Sequence, residues 1–522
     1  MASRLPTTGL DRRTLEIAGV VAVGLIMSLI DTTIVNVALE HLSGDLHEPL
    51  STIQWVSTGY LLSLAVVIPL SGWVTERFGS KRVWLVSIAV FGVGSLLCGL
   101  SASVEELIAF RVLQGLGGGM LVPVGFTLAT QAAGPGRAGA VLSLIGVPVL
   151  LGPIFGPILG GLIVDNLTWH WIFFVNIPIA VIAFGLAMRT LDGAAGRQDA
   201  GRLDWIGVLL ACPGLIGLVF GLSESASRGG LENPIAFGPI LAGLALLAAF
   251  VWHARRADRP LIDLRPFRGP AFAAGAATTF VLGLALFGAL LLLPLYFQVD
   301  RGLSALQAAL LMAPQGVGGA ITLPISGRLT DRVGGGPVVV VGATIATLAT
   351  LPWVFVAGDT PYPLLMAILF VRGIGLGASM QPAFAAALSV LRTEQVPRAT
   401  AALNTIRQVG ASIGTAAAAV LLETQAQATM PHMRGGAGVL EPLPPAVRAE
   451  VAGPLADAFG HVFLWATVAT ALAIAGGLVL LRAERRTRDA AAERDRGRRT
   501  VGAAPCDQGS RTGRVRGLHG SP

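Results

Sequence analysis

Apolar runs of about 20 residues recur along almost the whole chain, and short polar connections separate them. A helix of that length crosses the ~30 Å hydrocarbon core of a bilayer, so each run predicts one membrane span. Proline and glycine inside several runs do not oppose this, because neighbouring membrane helices satisfy the freed backbone groups. An all-α integral membrane protein with fourteen transmembrane helices is therefore predicted. The spans lie at about 14–37, 52–73, 83–101, 106–130, 138–164, 170–192, 203–223, 235–254, 271–296, 306–325, 337–356, 362–386, 400–422 and 459–482.

One polar connection occurs twice in nearly the same form. Residues 71–79 read SGWVTERFG, and residues 326–334 read SGRLTDRVG. A repeated turn between apolar runs indicates a membrane protein built from two related halves, which is common among secondary transporters. The first copy follows the second predicted span and the second copy follows the tenth. Since eight spans separate the copies, we predict two six-helix bundles with two inserted helices between them (6+2+6).

The predicted domains follow from that count. Residues 483–522 are dense in Arg, Asp, Gly and Ala and show no hydrophobic period, which is typical of disorder. The domains are a cytoplasmic N-terminus (1–13), an N-terminal six-helix bundle (14–192), two inserted transmembrane helices (203–254), a C-terminal six-helix bundle (271–482) with an external loop at 423–458, and a disordered cytoplasmic tail (483–522).

Charge and composition narrow the class of protein. Basic residues concentrate in alternate connections, so the positive-inside rule predicts a multi-pass protein of the cell membrane with both termini in the cytoplasm. The chain is 53% hydrophobic and 13% charged, about half the charge of a soluble protein. The net charge of +7 does not indicate nucleic acid, because Lys81 is the one lysine and no basic stretch alternates with aromatics. Cysteine spacing and the lack of a nucleotide-binding loop predict no metal and no cofactor.

Both copies of the repeated loop carry residues suited to a contact that breaks and re-forms. Glycines permit close helix approach and a tight turn, and the charged residues can bridge to neighbouring helix ends. Such contacts would act as conformational latches if the two halves rock, and the alternative is a merely short basic loop. The loop residues are Gly72, Glu76, Arg77, Gly79, Lys81, Arg82, Gly327, Asp331, Arg332 and Gly334.

Three arginines, Arg111, Arg372 and Arg407, lie inside apolar segments, where a charge costs at least ~2.5 kcal/mol and usually faces a cavity or a partner. Asp31 lies about 17 residues into an outward-running span and Arg111 about five residues into an inward-running one, so both are expected at a similar depth. A buried acid that can separate from an arginine can take up and release a proton. We therefore predict that Asp31 and Arg111 couple protons to transport, and the alternative is a fixed structural ion pair.

The fifth predicted span is crowded with glycine and proline. Proline removes backbone donors and glycine lets a helix bend against its neighbour, so we predict a kinked helix at the interface between the halves. The residues predicted to form this kinked helix are Gly152, Pro153, Gly156, Pro157, Gly160 and Gly161.

A substrate cavity is predicted to draw on polar residues in and near the spans. Glu224, at the outer end of the seventh span, is either a second cation-binding acid or a solvated surface residue. The cavity candidates are Gln114, Glu224, Tyr296, Gln298, Arg372 and Arg407.

Several of these segments resemble those of one family. Residues 72–82, 111–118 and 152–161 are similar to signatures of major facilitator superfamily transporters. Residues 29–39 (LIDTTIVNVAL) and 169–178 (WHWIFFVNIP) resemble stretches of its fourteen-span drug:proton antiporters. Glu76 stands where the loop signature usually has Asp, Ser80 replaces a common basic residue, and Glu40 replaces a common Pro. The resemblance implies that Arg111 takes part in proton transfer and that the fifth span is typical of antiporters.

Residues and resemblance together predict a proton-coupled efflux transporter, not an enzyme, that exports amphipathic drug-like or natural-product molecules by alternating access. The alternative on the same fold is an uptake or facilitative carrier of a small organic solute. A membrane-anchored sensory protein is a third class, which the short polar tail does not favour. The expected partners are the small-molecule substrate, protons driven by their gradient, and membrane lipid, with no nucleic acid and no obligatory protein partner.

Overall fold

The computed structural model describes residues 10–134, 136–192, 201–227, 233–429 and 445–502. Within those ranges every regular element is a helix. Thirteen helical stretches there are long and apolar enough to cross a membrane, and a bent pair of helices brings the number to 14 if it is one span. The predicted class, an all-α membrane protein, is confirmed.

The first half of the chain supplies six spans. Asp11 and Ser103 accept hydrogen bonds from the backbone N–H groups of Thr14 and Glu106, and so cap the first and fourth helices. The helices are α1 (Arg12–Leu46), α2 (Leu50–Phe78), α3 (Ser80–Leu100), α4 (Val104–Ala133), α5 (Ala138–Asn166), α6 (Trp171–Phe174) and α7 (Asn176–Thr190). The short α6 and α7 together form one span.

Two inserted helices precede the second half. The pair consists of α8 (Trp205–Ser227) and α9 (Pro234–Ala254). The second half consists of α10 (Pro270–Leu295), α11 (Ala305–Val333), α12 (Gly335–Thr350), α13 (Tyr362–Gly377), α14 (Met380–Ser389), α15 (Val396–Thr429) and α16 (Pro445–Gly502). Since α13 and α14 together form one span, the second half also has six.

The two copies of the repeated loop form matching turns. Gly79 joins α2 to α3 with a φ of 86°, and Gly334 joins α11 to α12 with a φ of 98°. These left-handed conformations favour glycine, so both turns depend on the glycine that the copies share. We call the end of the molecule that carries Gly79 and Gly334 the repeat-loop end, and the opposite end the far end.

Equivalent helices join the two halves. The second helix of each half packs against the fifth helix of the other, so that α2 contacts α15 and α11 contacts α5. These two contacts form two seams between the halves. In the inserted pair, α8 contacts α9, α2 and α15. The inserted pair therefore lies along the seam between α2 and α15.

The α5 helix bends at its glycine-proline pair. Its parts Ala138–Gly152 and Phe155–Asn166 meet at an angle of 42°. The break falls at residues 153–154, and a proline, which lacks a backbone donor, is a usual cause of such a bend. Counted as one span, the two parts of α5 are the fourteenth.

Two segments predicted to be non-helical are helical in part. The predicted external loop at 423–458 is helical at both ends, since α15 runs to Thr429 and α16 begins at Pro445, and residues 430–444 lie outside the described residues. The segment predicted to be a disordered tail begins as helix, since α16 continues to Gly502. Ala, Glu and Arg in this segment are strong helix formers, and a preceding span supplies the helix nucleus. Residues 503–522 and 1–9 lie outside the described residues.

Glu484 anchors this extension of α16. Its two carboxylate oxygens accept hydrogen bonds from the N–H groups of Gly335 and Gly336, at 2.9 and 3.0 Å. These N–H groups begin α12 and have no partner within that helix, so a carboxylate is favoured there. The contact fixes the end of the last span against the repeat-loop end.

Candidate functional site

The charged centre of the first half lies where α1 and α4 meet. Asp31 of α1 is fully buried, and Arg111 of α4 is 1% exposed. Arg111 Nη1 donates a hydrogen bond to Asp31 Oδ2 at 2.7 Å. The structure therefore brings together the two residues that the sequence pairs by depth.

Two amide side chains complete the surroundings of the Asp31 carboxylate. Gln114 Nε2 and Asn176 Nδ2 both donate to Asp31 Oδ1, at 2.8 and 2.9 Å. Arg111 Nη1 also donates to Gln114 Oε1 at 2.8 Å, so Gln114 bridges the acid and the base. These hydrogen bonds replace the hydration that the buried carboxylate has lost.

Arg111 is held by groups other than Asp31 as well. Its Nε donates to the carbonyl oxygen of Val56 at 3.2 Å. Its guanidinium carbon lies 4.0 Å from the centre of the Tyr60 ring and 5.7 Å from that of Phe173, which are cation–π distances. The position of Arg111 therefore does not depend on the charge of Asp31 alone.

The contacts around Asp31 differ in kind. Arg111 joins it through opposite charges, whereas Gln114 and Asn176 are neutral and hold the carboxylate by hydrogen bonds alone. Arg111 and Gln114 lie on α4 and Asn176 lies on α7, so Asp31 joins α1 to two other helices of the first half.

The charged centre adjoins a cavity between the two halves. The cavity has a volume of about 470 Å³, and Arg111, Tyr60 and Pro157 form part of its wall. Its other polar groups come from Thr32, Thr33, Asn36, Ser57, Gln298 and Thr415. The rest of the wall is mainly apolar, from leucine, phenylalanine and methionine side chains of α10 and α11. Such a wall and volume suit an amphipathic small molecule.

The predicted cavity residues divide into two groups. Gln298 lines the cavity, and Gln114 lies behind Arg111 in contact with Asp31. Tyr296 is not a cavity residue, because its buried ring packs 5.7 Å from the Trp353 ring and its hydroxyl donates to the Ala357 carbonyl oxygen at 3.1 Å.

Two further cavity candidates also lie elsewhere. Glu224 is half-buried near the end of α8, a helix that packs against α2 and α15. Arg407 of α15 is half-buried, and its guanidinium carbon lies 5.9 Å from the centre of the Phe126 ring. Neither residue is part of the cavity wall.

Arg372 gives the second half a different centre. It lies in the fourth span of its half, as Arg111 does in the first, and is 2% exposed. Its Nη1 donates to Gln315 Oε1, and its Nε donates to Thr350 Oγ1 at 3.2 Å. Among the described residues no carboxylate forms a salt bridge with Arg372. The amide of Gln315 thus replaces the acid of the first half, and Arg372 does not line the cavity.

At the repeat-loop end, Asp331 reaches from one half to the other. Its carboxylate oxygens accept hydrogen bonds from the N–H groups of Gly139 and Ala140, at 2.8 and 2.9 Å. These groups lie in the first turn of α5, where the helix dipole favours a negative charge. A Cβ on Gly139 would lie 2.7 Å from the Gly327 carbonyl oxygen, so both glycines are needed for α5 and α11 to approach.

The first copy of the loop makes the reciprocal contact. Arg398 Nε, at the start of α15, donates to Glu76 Oε2 at 2.9 Å, and the two side chains are 15% and 14% exposed. A Cβ on Gly72 would lie 2.9 Å from Arg398 Cα. The acid of each copy therefore joins α2 or α11 to the other half of the molecule.

Among the basic residues of the loops, Lys81 binds within its own half. Lys81 Nζ donates to the carbonyl oxygens of Met188, at 3.0 Å, and Leu191, both in the first half. Arg77, Arg82 and Arg332 are exposed at the repeat-loop end.

Aromatic packing adds to the contact between the halves. Phe126 of α4 and Phe384 of α14 meet edge to face, with ring centres 5.1 Å apart. Together with the Glu76 and Asp331 contacts, this closes the repeat-loop end. The structure therefore represents a state with a cavity between the halves and a closed repeat-loop end.

The glycines of α5 pack against α1, the helix of Asp31. A Cβ on Gly152, Gly156 or Gly160 would lie 2.7, 1.8 or 3.0 Å from an atom of α1. Gly161 has no such neighbour within 4 Å, so it does not belong to this face. Because Pro157 lines the cavity, α5 links the cavity wall to the helix that carries the buried acid.

Sequence reasoning missed three residues of this arrangement. Asn176 lies within residues 169–178, which carry part of the family resemblance, but no role was assigned to it. Gln315 is a polar residue within an apolar span, and this position was the signal that could have indicated a buried hydrogen-bond partner. Arg398 follows a span end, and only the folded structure shows that it meets Glu76.

Two six-helix bundles around a central cavity define a multi-pass membrane transporter. The chain belongs to the major facilitator superfamily, because the family model of that description matches residues 21–415.

Curated relatives are similar over most of their length. "Multidrug resistance protein B homolog" of Mycobacterium tuberculosis (strain ATCC 25618 / H37Rv) is 41% identical over 421 residues, which cover 80% of this chain and 77% of the relative. "Lincomycin resistance protein LmrB" of Listeria innocua is 30% identical over 409 residues, which cover 78% of this chain and 86% of the relative. The resemblance to drug-resistance transporters that the motifs indicate is thus confirmed.

Solved structures share the fold. The human organic anion transporter MFSD10 (TETRAN) aligns with a TM-score of 0.58 at 15% identity, over 88% of this chain and 100% of that one. The proton:xylose symporter XylE aligns with a TM-score of 0.57 at 13% identity, over 87% and 94%. At these identities the likeness shows the fold alone.

Proposed function

We propose that this transporter exports amphipathic drug-like or natural-product molecules in exchange for protons, by alternating access. The observation that carries the proposal is the Asp31–Arg111 contact at the wall of the central cavity. Arg111 alone separates the buried acid Asp31 from the space where a substrate would bind. Binding of a proton and binding of a substrate would therefore affect the same helices, α1 and α4.

The direction of the cycle follows from the proposed orientation. Arginine-rich connections lie at the repeat-loop end, so this end would face the cytoplasm. The structure then represents an outward-facing state, whose cytoplasmic side is closed by the Glu76 and Asp331 contacts. A proton from the outside would neutralise Asp31 and weaken its contact with Arg111. The two halves would then rock, the contacts at the repeat-loop end would break, and substrate would enter from the cytoplasm as the proton leaves Asp31.

The energy available is sufficient to bias such a cycle. Moving one charge across the membrane yields ~2.3 kcal/mol per 100 mV. That is comparable with the cost of breaking one or two charge-assisted hydrogen bonds, which contribute about 1.5–3 kcal/mol each. A rocking motion held by a few such contacts is within the reach of the proton gradient.

The names of the relatives support export of drug-like molecules. One relative is described as a multidrug resistance protein and another as a lincomycin resistance protein. The second candidate function is uptake or facilitative transport. It is supported by the observation that a proton:xylose symporter shares the fold. These two drug-resistance relatives are 41% and 30% identical and the symporter is 13% identical, so we favour export.

Transport into inverted membrane vesicles tests the proposal. The probes are the amphipathic dye Hoechst 33342 and lincomycin, and the imposed pH gradient is acidic inside. We expect accumulation that collapses when the gradient is dissipated, and no gradient-driven accumulation by Asp31→Asn. The control is Asp192→Asn, which removes a carboxylate that is 86% exposed and pairs with Arg13. Accumulation that ignores the gradient would refute proton exchange, whereas normal transport by Asp31→Asn would refute the site assignment.

A further inference from the structure

A second cavity lies beside the inserted helices, away from the central one. It has a volume of about 360 Å³ and is formed by α8, α9, α10, α15 and the connection 255–268. We call it the side groove. Its wall includes Leu215, Phe250, Ile262, Phe267, Ile406 and Val409.

The wall of the side groove is apolar throughout. Thr405 contributes the one hydroxyl, and that hydroxyl donates within α15 to the Ala401 carbonyl oxygen at 2.9 Å. An apolar ligand would therefore leave no polar group unpaired. In the most apolar 18-residue stretch of α9, only 17% of the residues are buried within the protein, so α9 faces the surrounding lipid. The hydrocarbon chains of the bilayer are the apolar molecules next to this groove.

The connection that forms one wall of the side groove also carries its charge. Residues 255–268 contain five arginines and two aspartates. Arg255, Arg256, Arg265 and Arg268 are exposed. Arg265 and Arg268 flank the wall residue Phe267, so cationic groups lie within two residues of the apolar wall. That order, an apolar groove bordered by arginines, is complementary to a hydrocarbon chain with an anionic headgroup.

The connection is fixed in place by the rest of the fold. Asp204 Oδ2 accepts from the Leu261 N–H at 3.0 Å, and Asp204 Oδ1 accepts from His253 Nε2 at 2.8 Å. Arg398 Nη1 donates to the Pro260 carbonyl oxygen at 3.2 Å. Burial opposes the charge of Asp204, but hydrogen bonds from two backbone N–H groups and His253 outweigh it and hold the pKa of its carboxyl below the ordinary value. The connection that forms this wall of the groove is therefore held in place.

We propose that the side groove binds one acyl chain of an anionic phospholipid, whose phosphate is held by the arginines of residues 255–268. The lipid lies between the inserted pair and the second half of the transporter. The inserted helices, which the twelve-helix core of the fold does not need, thus form one side of a lipid site.

Native mass spectrometry of the purified full-length chain tests the site without any transport measurement. The protein is titrated with phosphatidylglycerol and, separately, with phosphatidylcholine of the same acyl chains. We expect tighter binding of phosphatidylglycerol. Arg265→Gln with Arg268→Gln should reduce that preference by about 25-fold, since each arginine near an anionic lipid contributes about fivefold and the two contributions multiply. Val251→Trp, at a lining residue that is 38% exposed, should reduce binding of both lipids by filling the groove.

Matched variants separate this site from general effects. Arg485→Gln with Arg486→Gln removes two exposed arginines at the same end of the molecule, and Leu241→Trp enlarges another exposed residue of α9. Neither control should change lipid binding. Equal binding of the two lipids by the wild type, or equal losses in groove variants and controls, would overturn the proposal. Because binding is measured without substrate or gradient, failure here is distinct from failure of proton-coupled export.

Discussion

Replacing Asp331 with asparagine should loosen the repeat-loop end. The carboxylate now accepts two hydrogen bonds from the first turn of α5, at 2.8 and 2.9 Å. An asparagine side chain has one oxygen, so only one of the two N–H groups still has an acceptor, and that acceptor is neutral. The other N–H group loses its partner. The change removes a contact that exists only while the repeat-loop end is closed.

The size of the effect follows from those two bonds. Hydrogen bonds to a charged group contribute about 1.5–3 kcal/mol each, against about 1 kcal/mol for a neutral pair. The favourable interaction with the helix dipole adds about 0.3–1 kcal/mol. Asp331 is half-buried, and the cost of removing its charge from water, together with solvent screening, offsets most of that sum, so we expect a loss of about 1 kcal/mol. That corresponds to a shift of about fivefold in the ratio of closed to open molecules.

Spin labels on the two halves measure this shift. Arg82→Cys and Gln395→Cys place labels on exposed positions of the first and second halves at the repeat-loop end. The native Cys98 and Cys212 are buried and will not react, and Cys506 is replaced by serine. Double electron–electron resonance then gives the distribution of distances between the labels. Asp331→Asn should move a large part of that distribution to longer distances.

Two variants at the same loop control the experiment. Arg332→Gln removes an exposed charge next to Asp331 and should leave the distribution unchanged. Asp331→Glu keeps the charge and should restore most of the closed population. If Asp331→Asn shows the wild-type distribution, the contact with α5 does not hold this end closed and the reasoning is refuted.

Three further predictions concern single residues. Gly156→Ala should lower the melting temperature and the expression level, because a Cβ there lies 1.8 Å from Thr33 Oγ1, whereas Gly161→Ala, with open space around it, should be neutral or slightly stabilising. Asp204→Asn should destabilise the protein at pH 7, because the fold stabilises the charged form of Asp204. The difference from wild type should shrink as the pH falls below about 3.8 towards the lowered folded-state pKa, which melting curves from pH 7 to pH 3 test. Arg372→Gln should leave the pH dependence of vesicle transport unchanged, because this arginine has no carboxylate partner among the described residues; loss of that dependence would contradict the asymmetry between the halves.

The pairing of Asp31 with Arg111 was predictable because helix geometry is regular. A rise of 1.5 Å per residue converts sequence position into depth, and few charged residues lie within the spans. The amide partners were not predictable in the same way. Asn176 and Gln315 are two of several polar residues in apolar segments, and only the rotation of each helix about its axis decides which residue it faces.

The repeated loop shows both the reach and the limit of sequence reasoning. The glycines at 79 and 334 predict tight turns, and the structure has them, because a left-handed turn has a strong residue preference. The sequence predicted that the acids of the two loops bridge to neighbouring helix ends, but not that they reach the opposite half. Their partners, Arg398 and the start of α5, depend on how the halves dock. Helix continuation to Gly502 was missed because the segment has no apolar face, although its composition favours helix.

The most direct test of the central claim is whether substrate displaces a proton from Asp31. Purified protein in weakly buffered detergent solution is mixed with Hoechst 33342, and a pH indicator reports proton release. We predict release by the wild type and none by Asp31→Asn, which should still bind the dye. Equal release by the wild type and Asp31→Asn, or no release by the wild type despite binding, would contradict the account.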